Sequence, residues 1–395
     1  VIRNPNKCIL CGRCHRVCEE VQGVCNLGQQ GRGFHTLVAP GHVAKMDQSV
    51  CIQCGQCINV CPTAAFLEKR STNAVWDALA DPNKHVVVQT APSIRAAIGE
   101  GFGLPPGTPS TSKMIAALRR LGFDGVFDTD FGADLTIIEE SHEFLQRLEQ
   151  GGPLPMITSC SPGWINFMEK FYPELIPHAS SCRSPMGMTS VLLKTYYAQK
   201  INRDPHDIFV VAVMPCVAKK YEALRPEHCM ADGTPYTDAV LTTRELIWMI
   251  QCYGIQYWTQ ADIEFSSFPK DEFDSPLGIA SGAGDIFGTT GGVMEAALRT
   301  AAEKLSGQKV EQLEFKEVRA VEGLREITLQ LGSHSLNIGV ANGLQNAKEL
   351  LDKVVRREKQ FHIIEIMACP GGCIGGGGQP YPPRGTKVLD PGLLR

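Results

Sequence analysis

The strongest constraint on the fold of this chain is a cysteine pattern that occurs twice near its start. The spacing C-x2-C-x2-C-x3-C runs from Cys8 to Cys18 and again from Cys51 to Cys61. Of the 16 cysteines in 395 residues, nine lie in the first 61 positions. Disulfide frameworks belong to short secreted chains, whereas regular Cys-x-x-Cys spacing in a chain of this size indicates metal binding. The N-terminal segment is therefore predicted to fold around bound metal.

Both cysteine runs have the spacing of ferredoxins with two 4Fe-4S clusters, and Pro62 follows the second run as it does there. In that arrangement the last cysteine of each run binds the other cluster, so we expect Cys61 to complete the first cluster and Cys18 the second. A zinc site uses two Cys-x-x-Cys pairs and leaves the third and fourth cysteine of each run unexplained. We predict an α+β ferredoxin-like domain over 1–75. Its predicted cluster ligands are Cys8, Cys11, Cys14, Cys18, Cys51, Cys54, Cys57 and Cys61.

Charge and hydropathy exclude several classes of protein. Lys and Arg number 38 against 42 Asp and Glu, a net charge of −4, which does not indicate a nucleic-acid-binding protein. No apolar run is long enough to span a bilayer, and the first residues lack the apolar core of a signal peptide. We expect a cytoplasmic protein, or a periplasmic one if a leader has been removed.

From residue 84 onward, short β-branched runs alternate with amphipathic stretches. Six of these runs are predicted to be buried strands, at 84–93, 123–131, 155–160, 208–216, 238–243 and 361–369. This alternation predicts an α/β domain over 84–395 with a largely parallel sheet and two lobes, about 84–215 and 216–365. Several of the predicted strands end in cysteine, serine or threonine. Ligands of open α/β sheets lie beyond the carboxyl ends of the strands, so Cys160, Cys216 and Cys369 are at candidate site positions.

Three cysteine motifs occur in this domain: TSCSPGW at 158–164, MPCVAKKYE at 214–222 and EIMACPGGCIGGGGQP at 365–380. Together they closely resemble the signature motifs of the iron-only (FeFe) hydrogenases. The resemblance implies a ferredoxin-like domain followed by a two-lobed α/β hydrogenase domain. It also implies an H-cluster, which is a 4Fe-4S cubane joined through a cysteine sulfur to a two-iron unit with CO, CN and azadithiolate ligands. The implied activity is 2H⁺ + 2e⁻ ⇌ H₂.

The resemblance assigns ligands of this cubane. Cys216, Cys369 and Cys373 match three of them, and Cys373 matches the one that bridges to the two-iron unit. The family's first motif is TSCCPxW, in which the first cysteine relays protons and the second binds the cubane. Here Cys160 matches the relay and Ser161 stands where the fourth ligand is expected. Three explanations stay open: an alkoxide ligand from the serine, a backbone shift that makes Cys160 the ligand, or an engineered substitution.

Glu140, Glu143 and Arg147 recur at i, i+3 and i+7 and so share one face of a helix. By itself this pattern is usually a solvated charged stripe. The resemblance implies instead a proton path from solvent through Arg147, Glu143, Ser180, Glu140 and Cys160. Burial that raises the pKa of a carboxyl toward neutrality suits such a path.

The resemblance also implies a pocket around the two-iron unit. Lys219 matches the residue that donates a hydrogen bond to a cyanide ligand, although a surface lysine is the plain alternative. Ser93 fits a second cyanide contact. Core packing alone explains apolar walls in most proteins, but here the resemblance places them at Met214, Pro215, Phe287 and Met367.

The expected partners are protons, H₂ and an electron source. That source is an electron-carrier protein or further redox subunits, such as a ferredoxin, a nicotinamide-reducing module or a formate dehydrogenase module. Since the chain ends soon after the third motif, a small subunit or a missing C-terminal tail is also expected. Two rival functions are a sensory H-cluster protein with slow turnover and a hydrogenase-like iron-sulfur electron-transfer or assembly protein.

Overall fold

The structure is a computed structural model that describes residues 1–41, 45–254, 271–306, 323–331 and 334–381. The described chain forms two compact units, each built from separate stretches of sequence. The first unit comprises the described residues of Val1–Lys69, Thr136–Cys182 and Thr289–Gly377, and the second comprises those of Arg70–Leu135, Arg183–Gly288 and Gly378–Arg395. The predicted domain and lobe bounds, which follow chain order, stay a prediction. The predicted C-terminal extension would begin beyond the described residues.

The strands and α-helices of the described residues have the following bounds. The strands are β1 (Ile2–Arg3), β2 (Leu27–Gln30), β3 (Leu37–Pro40), β4 (Phe66–Leu67), β5 (His85–Thr90), β6 (Gly125–Asp128), β7 (Met156–Ile157), β8 (Ile208–Met214), β9 (Ala239–Thr242), β10 (Leu324–Leu331), β11 (His334–Asn342) and β12 (Ile363–Met367). The α-helices are α1 (Arg13–Arg16), α2 (Gln56–Asn59), α3 (Thr72–Ala80), α4 (Pro92–Ala97), α5 (Thr111–Leu121), α6 (Thr129–Gln150), α7 (Pro162–Phe171), α8 (Pro185–Leu192), α9 (Ala198–Lys200), α10 (Ala218–Glu222), α11 (Thr243–Cys252), α12 (Gly292–Ser306) and α13 (Leu344–Val355). A π-helical segment, Leu193–Tyr197, joins α8 to α9.

The N-terminal part of the first unit is built from two small antiparallel sheets, β1 with β4 and β2 with β3, and two one-turn helices. Each of these helices, α1 and α2, begins directly after a glycine in the left-handed region, Gly12 at φ 75° and Gly55 at φ 78°. Glycine adopts this conformation without a steric cost, so the chain can turn sharply between successive cysteines. The predicted α+β ferredoxin-like fold is confirmed.

The rest of the first unit is organised by a sheet with the strand order β10-β11-β12-β7. Strands β11, β12 and β7 are parallel, and β10 pairs antiparallel with β11. The hairpin of β10 and β11 was not predicted, because none of the predicted strands lies between 243 and 361. Trp164 is fully buried in the core beside this sheet, and its indole N–H donates to the Thr158 carbonyl at 3.2 Å.

The second unit contains a four-stranded parallel sheet with the order β6-β5-β8-β9. Val86, Val87 and Val88 of β5 are all buried, as expected of a parallel strand that is covered on both faces. Helix α11 begins with a capping box in which Thr242 and Glu245 satisfy each other's backbone N–H groups. Across the described residues, no helix meets the length and hydropathy needed to cross a bilayer.

Candidate functional site

Two cavities in the first unit are lined by the cysteines of the repeated runs. Cys8, Cys11, Cys14 and Cys61 line one cavity. Cys18, Cys51, Cys54 and Cys57 line the other. Each cavity thus combines three cysteines of one run with the last cysteine of the other, which is the exchange that the spacing predicts. Among the described residues, no three His, Cys, Asp or Glu side chains converge as they would around a single metal ion.

The backbone around both cavities directs N–H groups at cysteine sulfurs. Leu10 N–H points to the Cys8 sulfur and Gln53 N–H to the Cys51 sulfur, both at 3.4 Å. Leu10 and Gln53 both have positive φ, 56° and 60°, which L-residues rarely adopt. The two loops therefore repeat each other in conformation. Hydrogen bonds to cluster sulfurs are among the factors that set the potential of an iron-sulfur cluster.

The cysteines differ in how their thiols ionise. Burial raises the pKa of Cys54 and of Cys57 well above the usual value for a thiol. At Cys61 burial also opposes ionisation, but the backbone N–H groups of Phe66, Thr63 and Ala65 outweigh it and lower the pKa. Buried thiols with raised pKa values that face a shared cavity fit a bound metal cluster, because coordination stabilises the thiolate.

The third motif begins within β12, and its residues up to Gly377, all in the first unit, lie against the second cysteine-lined cavity. Gly377 packs so closely on the Cys54 backbone that an added Cβ would lie 2.2 Å from the Cys54 carbonyl oxygen. The Gln56 side-chain amide donates to the Gly375 carbonyl at 2.9 Å, and the Asn59 amide donates to the Gly376 carbonyl at 3.2 Å. Gly377 is therefore required by the close approach of the two backbones.

Ser161 lies next to the third motif. The backbone N–H of Ala368 donates to the Ser161 hydroxyl at 3.3 Å, and Ala368 directly precedes the buried Cys369. Ser161 is the N-cap residue of α7, but its side chain makes no capping hydrogen bond to that helix. Cys160 is half-buried, as is Cys373.

The predicted proton-path residues of the first unit form a connected set. Arg147 Nη2 donates to Glu143 Oε1 at 2.6 Å, and the Ser180 hydroxyl donates to Glu143 Oε2 at 3.0 Å. Burial raises the pKa of Glu140 to about 7, while hydrogen bonds from Ser180 and from the Ser159 backbone oppose that rise. The side chains of Arg147 and Glu143 are 13% and 16% exposed, whereas Ser180 and Glu140 are buried. The set therefore runs inward from Arg147 to Glu140. Glu140 lies beside the backbone of Ser159, the residue that precedes Cys160.

In the second unit, the predicted cofactor residues lie at the ends of buried elements. Met214 ends β8 and is buried, and Pro215 and Cys216 follow it directly. Lys219 in α10 is buried too, with its ammonium 2.7 Å from Glu222 Oε2. Burial raises the pKa of Cys216, while the nearby charge of Lys219 opposes that rise.

Ser93 in α4 and Phe287 belong to the same unit and are both buried. The Ser93 hydroxyl has no hydrogen-bond partner among the described residues. Gly288, next to Phe287, would carry a Cβ 3.6 Å from the Ser93 Cβ, so the two segments are adjacent. A buried hydroxyl without a partner is costly, and its presence here fits a polar ligand in the pocket.

Several residues that support the site were not predicted. Ser184 and Glu222 contact the Lys219 ammonium, and Glu365 caps α12 by accepting N–H groups of Gly291 and Met294, each at 2.7 Å. The spacing of Lys219 and Glu222 by three residues on a helix is a sequence signal that could have identified that pair. Nothing local indicates Ser184, because it is 35 residues away.

The residues that the resemblance assigns to the H-cluster are divided between the units. Ser161, Met367, Cys369 and Cys373 lie in the first unit, together with Cys160 and the proton path. The residues in the second unit are Ser93, Met214, Pro215, Cys216, Lys219 and Phe287.

Comparison with known proteins gives two family matches. Residues 84–377 match the family model of the iron only hydrogenase large subunit, C-terminal domain, and residues 7–65 match the 4Fe-4S dicluster domain. Among solved structures, a variant of the apo [FeFe]-hydrogenase HydA1 from Chlamydomonas reinhardtii has a TM-score of 0.70 and 41% identity. That similarity covers 82% of this chain and 88% of the other.

Three curated relatives extend these matches. The NADP-reducing hydrogenase subunit HndD of Solidesulfovibrio fructosivorans is 48% identical over 98% of this chain, which spans 66% of that relative, just under two thirds of its length. The periplasmic [Fe] hydrogenase large subunit of Nitratidesulfovibrio vulgaris is 42% identical, covering 88% of this chain and 89% of the relative. Cytosolic iron-sulfur assembly component 3 of Bos taurus is 32% identical, covering 85% and 72%.

Proposed function

The chain belongs to the iron-only hydrogenase large-subunit family, and from that membership we propose that it reduces protons to H₂, reversibly, at an H-cluster. When bound, this cofactor supplies the metal-centred bond chemistry between protons and electrons. The protein supplies electrons, protons and a pocket that excludes water. The observation that carries the proposal is the close packing of the second cysteine-lined cavity against the third motif.

Electron delivery rests on that packing. Two 4Fe-4S clusters are proposed, one held by Cys8, Cys11, Cys14 and Cys61, and the other held by Cys18, Cys51, Cys54 and Cys57. Cys54 is close enough to Cys369 for the two thiolates to repel each other. Together with the contact between Gly377 and the Cys54 carbonyl, this proximity supports a direct relay from the second cluster to the catalytic cubane.

The proposed cubane ligands are Cys216, Cys369, Cys373 and Ser161, and this assignment rests on the motifs. The hydrogen bond from the Ala368 amide to Ser161 supports the serine, not Cys160, as the group that faces the cubane. Cys160 then keeps its proposed role as the last proton relay. A serine oxygen is a harder and more basic ligand than a thiolate, so we expect it to bind the cubane more weakly.

Proton delivery is proposed to follow Arg147, Glu143, Ser180, Glu140 and Cys160. Arg147 is held at the surface end because its guanidinium also donates to the carbonyls of Pro153, His178 and Ala179. Glu140, with a pKa of about 7, both accepts and releases a proton near neutral pH. In the second unit, Lys219 and Ser93 are proposed to hold cyanide ligands, and Met214, Pro215, Phe287 and, from the first unit, Met367 to exclude water.

The electron partners of the chain are proposed to be further redox subunits. HndD is named as a subunit of an NADP-reducing hydrogenase, which supports further redox subunits as the electron source or acceptor.

The similarity to cytosolic iron-sulfur assembly component 3 favours a second candidate function, an iron-sulfur assembly protein without hydrogen chemistry. The connected, inward-running acid path supports the hydrogenase over this alternative.

Infrared spectroscopy of the anaerobically purified, matured protein tests the proposal. We expect bands of iron-bound CO and CN, together with H₂ evolution from a reduced viologen dye. A full complement of iron without such bands would overturn the hydrogenase and favour the assembly or electron-transfer function. Bands with only slow turnover would indicate the sensory alternative.

A pair of variants then tests the proton path. Glu143→Gln removes the carboxylate that joins Arg147 to Ser180, and we expect turnover to fall by orders of magnitude while the infrared bands persist. Glu139→Gln makes the same chemical change at an exposed position of the same helix and should leave turnover unchanged. Near wild-type turnover in Glu143→Gln would contradict the path.

A further inference from the structure

The ammonium of Lys219 contacts two other buried side chains in the second unit. It is 2.7 Å from the Ser184 hydroxyl and 2.7 Å from Glu222 Oε2. The Ser184 hydroxyl in turn donates to Glu222 Oε1. Lys219, Ser184 and Glu222 are each less than 10% exposed. The three groups therefore form a ring of contacts shielded from water.

The serine can adopt only one arrangement within this ring. A hydroxyl has one donor and two acceptor positions. At Ser184 the proton goes to Glu222, and the lone pairs accept from the Lys219 ammonium and from the Gly187 backbone N–H at 3.3 Å. The Gly187 contact is the N-terminal cap of α8, so the hydroxyl is anchored to a helix. Its direction, and with it the position of the ammonium, is set by the fold.

Charge explains why the ring contains a carboxylate. A buried ammonium without a counter-charge is strongly destabilising, because the desolvation cost amounts to several kcal/mol. Glu222 lies one turn after Lys219 on α10 and neutralises it through a direct contact. A neutral pair presents a dipole with a fixed direction to the pocket, whereas an uncompensated cation would present a full charge.

We propose that Glu222 is a positioning residue for Lys219, which it holds in place and neutralises with Ser184 as the bridge. This inference rests on the proposed function, since it assumes that Lys219 faces a cyanide ligand of the two-iron unit. Glu222 acts through Lys219 and does not itself contact the cofactor. Its role is to limit how strongly the lysine withdraws electron density from the iron.

The test is the infrared spectrum of matured Glu222→Gln, which removes the charge but keeps the shape of the side chain. We expect the CO bands to move to higher wavenumber, because a less compensated cation weakens back-donation from iron to CO. Ser184→Ala should give a smaller shift in the same direction, since the ammonium keeps its carboxylate partner. Glu227→Gln is the matched control, because Glu227 pairs with Arg225 at an exposed position of the same unit. Its bands should match the wild type.

A double-mutant comparison separates action through Lys219 from direct action on the pocket. In a Lys219→Met background, Glu222→Gln should cause no further band shift. An equal shift in that background, or wild-type bands in both Glu222→Gln and Ser184→Ala, would overturn the inference. If the wild type itself lacks CO and CN bands, the proposed function fails instead. The two failures are therefore distinguishable.

Discussion

Replacing Glu140 with glutamine should stabilise the fold at neutral and alkaline pH, although it removes a proposed proton carrier. Glu140 is fully buried, and its pKa rises from 4.5 to about 7 mainly because burial penalises the charged carboxylate. The folded state therefore binds the proton more tightly than the unfolded state. The contribution of Glu140 to stability is then fully present below pH 4.5 and falls as pH rises, with most of the loss complete once the pH passes 7.

The size of the effect follows from the pKa shift of Glu140. A shift from 4.5 to about 7 corresponds to about 3 kcal/mol in total, since one pKa unit is worth about 1.4 kcal/mol. Between about pH 6 and pH 8, titration of Glu140 lowers the free energy of unfolding of the wild type by about 1 kcal/mol. Glu140→Gln does not undergo this loss. The difference in unfolding temperature between the two proteins should therefore grow by about 2 °C from the lower to the higher pH, as expected for a protein of this size.

The assay is anaerobic thermal unfolding of wild type and Glu140→Gln at about pH 6 and pH 8. We expect the advantage of the variant to be larger at the higher pH. Comparing the two proteins at each pH cancels titration of groups that they share, such as Glu365, whose pKa burial also raises to about 7. Glu139→Gln, an exposed neighbour, should show no pH-dependent difference. An advantage of Glu140→Gln that is equal at both pH values would refute the raised pKa.

Three further predictions concern the clusters and their contacts. Cys61→Ala should remove the iron of one 4Fe-4S cluster. In electron paramagnetic resonance spectra, the signal of the second cluster should remain, and loss of both signals would contradict the ligand sets. Ser161→Cys should slow the loss of cubane iron to a chelator, because a thiolate binds iron more strongly than a serine oxygen does, and an unchanged rate would exclude Ser161 as a ligand. Gly377→Ala should destabilise the fold by about 1–3 kcal/mol in thermal unfolding and slow dye-driven H₂ evolution, since its Cβ would overlap the Cys54 carbonyl. Gly28→Ala, where an added Cβ meets nothing within 4 Å, is the control and should leave both measurements near the wild type.

Much of the fold was predictable because its signals are local. The six strands predicted in the large domain correspond to β5, β6, β7, β8, β9 and β12, since buried parallel strands are continuous apolar runs. The hairpin of β10 and β11 was not predicted. One face of an antiparallel sheet can be exposed to solvent, so its strands need not form the continuous apolar runs that mark buried parallel strands.

The sequence alone determined the sets of cysteines that share a cavity. Ligand spacing within a tight loop is a local property, so C-x2-C-x2-C-x3-C predicts both sets, including the exchange of Cys18 and Cys61. The tertiary structure alone decided that Glu140 is buried with a pKa near 7, and that Ser184 and Glu222 enclose the Lys219 ammonium. Burial and electrostatic environment arise from residues far apart in the chain, and no spacing along the sequence specifies them.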